Sequence, residues 1–413
     1  MTRPTADPAV HDAAFDLLDP SWTRDPYPRY AQLREHAPIH RHPLGFWAFS
    51  RHEDCLALLR DRRASSDSTH VPERLRRPGS AEKPFAEARL EMRPFLFRDP
   101  PDHTRLRSLV AQTFTPRMVE GMRRRTEIMV DELLDAAMEA GEVDLLEQFA
   151  SPLPVRVICD LLGVPIEDRD RFRIWSGTMA RGLDPDFLLT EENMDARDEA
   201  VVQFAGYFFD LLADRRKHPG GDLLSHLANV EDGGTTLSED EIFSTCILLL
   251  VAGHETTVNL LSGGALALLR HPDQLERFRA DPGVQRGAVE EMLRYVSPVQ
   301  MTARTITEDC EFGGQDLAAG DFVLLLLASG NRDGSQFEDP ERFDITRTPN
   351  NHLGLGFGIH HCLGATLARM ETNVALDLLV KRAPRLTLAT DEVTYTSNVV
   401  LRGMEALPVS MHG

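Results

Sequence analysis

The sequence predicts a mainly α-helical protein with a minor β region, formed by residues 1–413 as a single domain. Three observations carry that expectation. The helical period dominates from Asp102 to about Leu269. Within it, a capped and nearly unbroken apolar segment runs from Ser238 to Arg270. No repeat, linker or low-complexity stretch divides the chain, although its length alone suggests two to three domains.

The first 50 residues are punctuated by proline and aromatics (Pro26, Tyr27, Pro28, Tyr30). They hold a short amphipathic segment, Ala31 to His36, and two short β-like stretches around Pro43. Residues 60–100 are rich in Arg, Pro and Ser and poorly periodic, and read as a long loop or short helices. Helical segments follow at His103–Phe114, Pro116–Ala140, Pro154–Leu162, around Trp175 and over Met194–His218. The Ser238–Arg270 helix opens on a capping box, Ser238 with Glu241, and Pro272 stops its far end. It spans about 50 Å, and the apolar run Ile247–Val251 sends it through a core rather than over one. A helix over Gly283–Tyr295 starts after the N-cap and N1 pair Asp281-Pro282. Residues 299–328 read as short strands and turns, a last helix covers Leu363–Lys381, and the tail returns to β-like sequence.

Hydrophobic residues at 42% and charged residues at 27% are ordinary for a soluble globular protein. Lys+Arg 45 against Asp+Glu 65 leaves a net charge of −20, which argues against a general nucleic-acid binder. The five cysteines (Cys55, Cys159, Cys246, Cys310, Cys362) are odd in number and include no CxxC pair. Neither a disulfide framework nor a multi-cysteine zinc site is indicated. The N-terminus lacks the apolar core of a signal peptide, and no run of 18 apolar residues occurs. A soluble, cytoplasmic protein without a membrane partner is expected.

Chemistry concentrates in the stretch His352 to Ala365. Gly354, Gly356 and Gly358 alternate, which implies a tight turn or a close backbone approach. Cys362 stands just before a helix, with Gly364 after it. A thiolate there is stabilised by unpaired helix N–H groups and the positive end of the dipole, which suits a thiolate bound to iron. A glycine-rich turn around a plain buried cysteine fits the spacing equally well. Zinc is a weaker rival, because the adjacent His360, His361 and Cys362 rarely converge on one tetrahedral ion.

The run Leu355-Gly356-Phe357-Gly358-Ile359-His360-His361-Cys362-Leu363-Gly364 resembles the haem-binding loop of the cytochromes P-450, aromatic-Gly-x-Gly-x-His-x-Cys-x-Gly. Leu355 departs from the usual Phe, a change expected to alter thiolate exposure and redox potential without removing the ligand. The resemblance implies the cytochrome P-450 fold with a long central helix over haem, heme b (iron protoporphyrin IX) as cofactor, and Cys362 as the metal ligand. Glu-x-x-Arg occurs at Glu73/Arg76, Glu120/Arg123, Glu276/Arg279 and Glu291/Arg294, each readable as an i,i+3 surface pair. Only Glu291/Arg294 falls between the long helix and the cysteine loop. By resemblance it forms, with Arg342, a buried structural Glu–Arg–Arg cluster.

The segment Ala252-Gly253-His254-Glu255-Thr256-Thr257 is similar to the family's oxygen-activation motif. Ala252, Gly253 and Thr256 share one face and leave room for a diatomic ligand, and Thr256 can bond back to the Ala252 carbonyl. Glu255 and Thr256 would be the catalytic pair that orders water and delivers protons. Taken alone, Thr256 reads as ordinary back-bonding and Glu255 as a solvated or ion-paired helix residue. His103 and Arg107 are i,i+4 after Asp99-Pro100-Pro101 and face one way. The resemblance implies that these two, Arg304 and His360 hold the haem propionates, and that Ala252, Gly253, Phe357, Gly358 and Gly364 lie against the cofactor.

The activity so implied is insertion of one oxygen atom from O2 into a C–H bond of a hydrophobic small molecule, by hydroxylation or epoxidation. A natural product such as a polyketide or macrolide is the expected substrate. No GxGxxG follows a strand, so electrons are expected from separate proteins; the resemblance implies a ferredoxin and an NAD(P)H-dependent ferredoxin reductase. The expected substrate pocket comprises Phe95, Leu96, Phe97, Leu249, Val299, Met301, Val399 and Val400, each equally readable as core. Met179 to Met194 would form a lid, and Arg105, Arg123 and Arg369 part of a basic patch for the ferredoxin. Two alternatives stay open. A peroxygenase or isomerase of the same fold would lack the acid–alcohol pair, and a haem-binding sensor would have no need of an oxygen-activating gap.

Overall fold

The computed structural model describes residues 15–17, 19, 21–76, 93–185, 188–232 and 234–413. Its longest helix, Glu239–Arg270, starts on the Ser238 cap, whose side chain accepts from the Glu241 N–H while the Glu241 carboxylate accepts from the Ser238 N–H at 2.9 Å. Numbered in chain order, the main helices are α1 (Tyr27–His36), α2 (His52–Arg60), α3 (Asp102–Thr113), α4 (Pro116–Ala140), α5 (Pro152–Leu162), α6 (Arg169–Arg181), α7 (Glu191–Lys217), α8 (Glu239–Arg270), α9 (Pro272–Ala280), α10 (Gln285–Tyr295) and α11 (Ala365–Arg382). By length and composition α8 could cross a bilayer, yet 56% of its most apolar window is buried inside the fold. It packs against α5, α6, α10 and α11, so its apolar residues meet protein on several sides.

Several helix starts differ from the sequence expectation by one to three residues. Thr190 caps α7 from three residues earlier than expected, accepting from the Asn193 N–H at 3.2 Å. Asp281 caps a 3₁₀ turn, Pro282–Val284, and α10 begins only after it. The stretch between residues 60 and 100 holds short 3₁₀ turns at Ser68–His70, Glu73–Leu75 and Phe95–Phe97 among its described residues.

The minor β region is one mixed five-stranded sheet and smaller pieces. In chain order the strands used here are β1 (Ile39–Arg41), β2 (Phe46–Phe49), β3 (Ala64–Ser65), β4 (Glu142–Asp144), β5 (Thr302–Ile306), β6 (Phe322–Leu325), β7 (Thr387–Leu388) and β8 (Pro408–Ser410). The sheet order is β1-β2-β6-β5-β3, with β2 and β6 parallel and the other pairs antiparallel. Strand alternation sorts Phe46, Ala48, Phe322 and Leu324 into one apolar cluster and Trp47, Phe49, Val323 and Leu325 into another. Both faces are thus buried, which explains why these strands read as continuous apolar runs. β5 runs along the edge of the space between α8 and the cysteine loop, and that space is the site.

Candidate active site

The loop before α11 is shaped by backbone hydrogen bonds and two left-handed glycines. The Leu353 N–H donates to the Asn331 side-chain oxygen at 2.7 Å, and the Cys362 N–H donates to the Leu355 carbonyl at 2.9 Å. Gly356 and Gly358 carry φ of 66° and 70°, and a Cβ on Gly358 would stand 2.6 Å from the Leu59 carbonyl. Helix α11 begins two residues later than expected because Gly364 is its N-cap, which leaves Cys362 outside the helix. Burial raises the proton affinity of the Cys362 thiol, while the Gly364 N–H and the charges of Arg107 and Arg369 lower it. Among the described residues no three His, Cys, Asp or Glu side chains converge on a metal position, so the loop offers no zinc site.

Cys362 lies on the wall of a cavity of about 470 Å³ that also exposes Arg107, Arg304 and His360. Arg304 is buried, and its guanidinium donates only to the Ala303 carbonyl at 2.6 Å and the Thr302 hydroxyl at 3.2 Å. Arg107 donates to the His361 carbonyl at 2.5 Å. Neither arginine has a carboxylate partner among the described residues. Burial pushes the pKa of Arg304 down to about 10, with the Asp99 charge opposing. The His103 and His360 rings lie 4.3 Å apart, and His360 Nε2 is 2.6 Å from the Ser66 hydroxyl. Both ring nitrogens of His103 and Nδ1 of His360 are buried without a hydrogen bond of normal geometry. Burial, then the charges of Arg304, His103 and Arg107, push His360 down to about 3. Two arginines and two histidines, Arg304 and His103 buried and Arg107 and His360 half-buried, have no carboxylate partner among the described residues and call for an anion. With the Cys362 thiol on the same cavity, they fit the two propionates and the iron of haem b.

On α8, Ala252, Gly253 and Thr256 line this cavity, and the Thr256 hydroxyl donates to the Ala252 carbonyl at 2.5 Å. Glu255, the next position round the helix, is outside the lining and faces α6. Burial raises its proton affinity against the opposing charge of Arg181. Of the expected pocket residues, Phe95, Leu96, Phe97, Leu249 and Val299 are on the wall; of the expected cofactor contacts, Phe357 and Gly364 are on it, whereas Gly358 packs toward the Leu59 carbonyl and His103 lies off it. Phe357 is 38% exposed and lies under the Arg60 guanidinium at 4.4 Å. Met301 and Val399 are instead sunk in the apolar cluster around Phe46, and Val400 is off the wall as well. The segment before β5 is a bend, Ser297 carrying φ of 46°, and the Gln300 N–H bonds the Val400 carbonyl, so strand alternation does not extend to these positions. Thr302 and Ala303 take their place on the wall.

The Glu–Arg–Arg cluster is present with a different third member. Glu291 pairs with Arg294 at 2.7 Å and with Arg347, not Arg342, at 3.2 Å. The chain turns at Asp339, φ 45°, so that Arg342 offers its carbonyl to Arg294 and Arg347 while its side chain is exposed. The expected basic patch is neutralised locally: Arg105 pairs with Glu241, Arg123 with Glu120 and Arg369 with Glu290. Met179 and Met194 at the ends of the expected lid are buried, and residues 186 and 187 within it lie outside the described residues.

Ser66 and Glu371 are among the wall residues that escaped the sequence reading. Ser66 reaches His360 across 294 positions, and no local pattern marks it. Glu371 is buried on the cavity wall with Oε2 unpartnered, and burial raises its proton affinity. Its place on the apolar face of α11, four residues after Leu367 and three before Val374, was the available signal.

Comparison with known proteins agrees with this geometry. The family profile described as Cytochrome P450 matches residues 284–388. The polyketide biosynthesis cytochrome P450 PksS of Bacillus subtilis is 42% identical over 400 residues, covering 94% of this chain and 96% of that protein. The 6-deoxyerythronolide B hydroxylase of Saccharopolyspora erythraea is 40% identical over 414 residues, covering 96% of this chain and 99% of that protein. Among solved structures, P450BioI in complex with hexadec-9Z-enoic acid ligated acyl carrier protein superposes with a TM-score of 0.88 at 38% identity, covering 95% of this chain and 99% of that one.

Proposed function

The chain belongs to the cytochrome P450 family and is a haem-b-binding monooxygenase, and on that premise we propose that it inserts one oxygen atom into a C–H bond of a polyketide or macrolide. Residues 1–413 act as one cytoplasmic haem-binding domain that draws electrons from a ferredoxin and its NAD(P)H-dependent reductase. The observation that carries the reading is the placement of Cys362, the Thr256 gap and an unpaired cation set on one apolar cavity. Haem b, when bound, supplies the redox chemistry that activates O2.

The remaining steps belong to side chains. Cys362 ligates the iron as thiolate, and the Gly364 N–H restrains the charge on its sulfur. Arg107, Arg304, His103 and His360 hold the propionates and thereby recover the hydrogen bonds and counter-charge they lack without them. Ala252 and Gly253 keep this part of the cavity wall free of side-chain bulk, where O2 would be accommodated, and Thr256 holds its hydroxyl at the same opening. Glu255, the neighbouring position on α8 and protonatable because it is buried, supplies the proton that Thr256 passes to the oxygen side. Phe95, Leu96, Leu249 and Val299 exclude water and present an apolar surface to substrate.

Titration with 6-deoxyerythronolide B and with hexadec-9Z-enoic acid, followed by the low- to high-spin shift, tests the substrate class. A shift with the first and none with the second is expected, and the reverse assigns a fatty acyl substrate. Cys362→Ser should remove the red-shifted Soret band of the reduced carbonyl complex and lower turnover by more than about 100-fold. Retention of that band overturns the ligand assignment. Turnover with peroxide but not with ferredoxin and reductase selects the peroxygenase alternative.

A further inference from the structure

Helix α6 backs the oxygen-side segment of α8, and its contacts there bear on Glu255. His254 is buried, with Nε2 3.2 Å from the Ser151 carbonyl and Nδ1 2.5 Å from the Ser176 hydroxyl. A carbonyl only accepts, so Nε2 carries the ring proton toward Ser151; Nδ1 is then a lone pair, and the single Ser176 hydroxyl proton is shared between it and the Arg173 carbonyl 3.2 Å away. Burial, with Arg173 adding to it, pushes His254 down to about 4, so a second ring proton is absent at neutral pH. Glu255 Oε1 lies 3.8 Å from that same Nδ1 and meets a lone pair instead of an N–H.

One residue further along α6, a Cβ on Gly177 would stand 3.2 Å from Glu255 Oε1 and would meet nothing else within 4 Å beyond its own helix. Gly177 sits inside the helix Arg169–Arg181, where alanine is the more stable choice and where no positive φ calls for glycine. A side chain there would crowd the carboxylate oxygen, which would have to give by a few tenths of an ångström.

We propose that Ser176 and Gly177 are positioning residues for Glu255: the serine, together with the Ser151 carbonyl, favours the His254 tautomer that cannot pair with the carboxylate, and the glycine leaves the space beside the carboxyl open. This rests on the reading of Glu255 as proton donor. The charged groups around it are then few. Arg181 opposes its ionisation cost from α6 without an ion pair, its guanidinium lying 3.4 Å from the Thr178 hydroxyl. Arg173, also on α6, is engaged by Glu147 at 3.1 Å. On α8 itself, His254 stays neutral. The carboxyl therefore keeps a raised proton affinity and a fixed place beside Thr256, as a group that must take up and release a proton requires.

The test uses the haem-loaded enzyme and its Ser176→Ala, Gly177→Ala and Glu255→Gln variants. Three quantities are read: the fraction of consumed NAD(P)H recovered as product, its pH profile, and the 15N shifts of His254 in the reduced carbonyl complex. The substrate is whichever of 6-deoxyerythronolide B and hexadec-9Z-enoic acid gives the larger spin shift. Gly177→Ala should lower coupling about 10-fold while leaving Tm unchanged or raised. Ser176→Ala should move the His254 proton toward Nδ1, where it pairs with Glu255, makes that carboxyl more acidic and shifts the pH profile to lower pH. Coupling lost in Glu255→Gln but retained in both α6 variants, with the Nε2–H tautomer unchanged in Ser176→Ala, overturns the proposal while the relay stands. Coupling retained in Glu255→Gln overturns both. The 15N readout decides the tautomer claim even where neither compound turns over.

Discussion

The molecule holds two clusters built around arginines that end in opposite states. Around Glu291 the cluster closes on itself. Its two carboxylate oxygens accept from Arg294, Arg347, the Asp344 N–H and the Asn350 side chain, and Arg294 donates further to the carbonyls of Asn331, Pro340 and Arg342. Around His360 the cluster is open: Arg107, Arg304, His103 and His360 contain no carboxylate and leave three ring nitrogens unpartnered. A cluster satisfied internally holds the fold. One whose charge and hydrogen bonds are unmet has a place for a ligand, and its sign says that the ligand is an anion.

Removing the centre of the closed cluster should have the largest effect on stability. Glu291→Ala leaves two buried guanidiniums without a counter-ion, and a loss of about 3–5 kcal/mol in denaturant unfolding is expected. A loss under about 1 kcal/mol would mean that the carbonyls alone satisfy Arg294. The buried histidines give the next contrast, because His254 is hydrogen-bonded at both ring nitrogens whereas His360 awaits a partner. With a folded pKa of about 4 against 6.5 unfolded, His254 makes the unfolded state bind more protons between those values. Stability should therefore fall as pH drops from about 6.5 to about 4, by up to about 3 kcal/mol. His254→Gln should flatten that slope in pH-dependent unfolding, and an unchanged slope would assign it to other groups.

In the open cluster the sign should reverse with the cofactor. Arg304→Met should leave the haem-free protein as stable or more stable, since an uncompensated buried charge is gone. It should weaken haem retention by about 1.5–3 kcal/mol, measured as haem transfer to an acceptor protein. Equal destabilisation with and without haem would place Arg304 with the closed cluster. The smallest effect is expected at Ser66→Ala. Loss of its contact to His360 Nε2 should cost about 1 kcal/mol of haem retention, with Tm of the haem-free protein little changed.

Much of this arrangement was legible in the chain, and the misses have a common cause. The capping box at Ser238 and Glu241, the 3.6-residue period of α4 and α8, and the glycine spacing before Cys362 are local, and local stereochemistry reads them directly. Arg342 and Arg347 are five residues apart in an irregular segment, and which one reaches Glu291 depends on a turn at Asp339 that has no periodic signature. Met301 and Val399 are apolar in either setting, so composition cannot say whether they face substrate or sheet. The three arginines of the expected patch are basic in sequence and neutralised in space, because Glu241, Glu120 and Glu290 lie beside them.

By itself the sequence determined which segments become helices, where the cysteine loop tightens, and which motifs stand in the order of a haem-thiolate enzyme. Those properties depend on neighbours within one or two turns. Only the tertiary structure decided which charges are paired and which are left open, and that Glu255 turns toward Gly177 while Thr256 turns toward the cavity. The physical reason is that burial and electrostatic pairing are set by side chains that pack against a group from distant parts of the chain, as Ser66 does against His360.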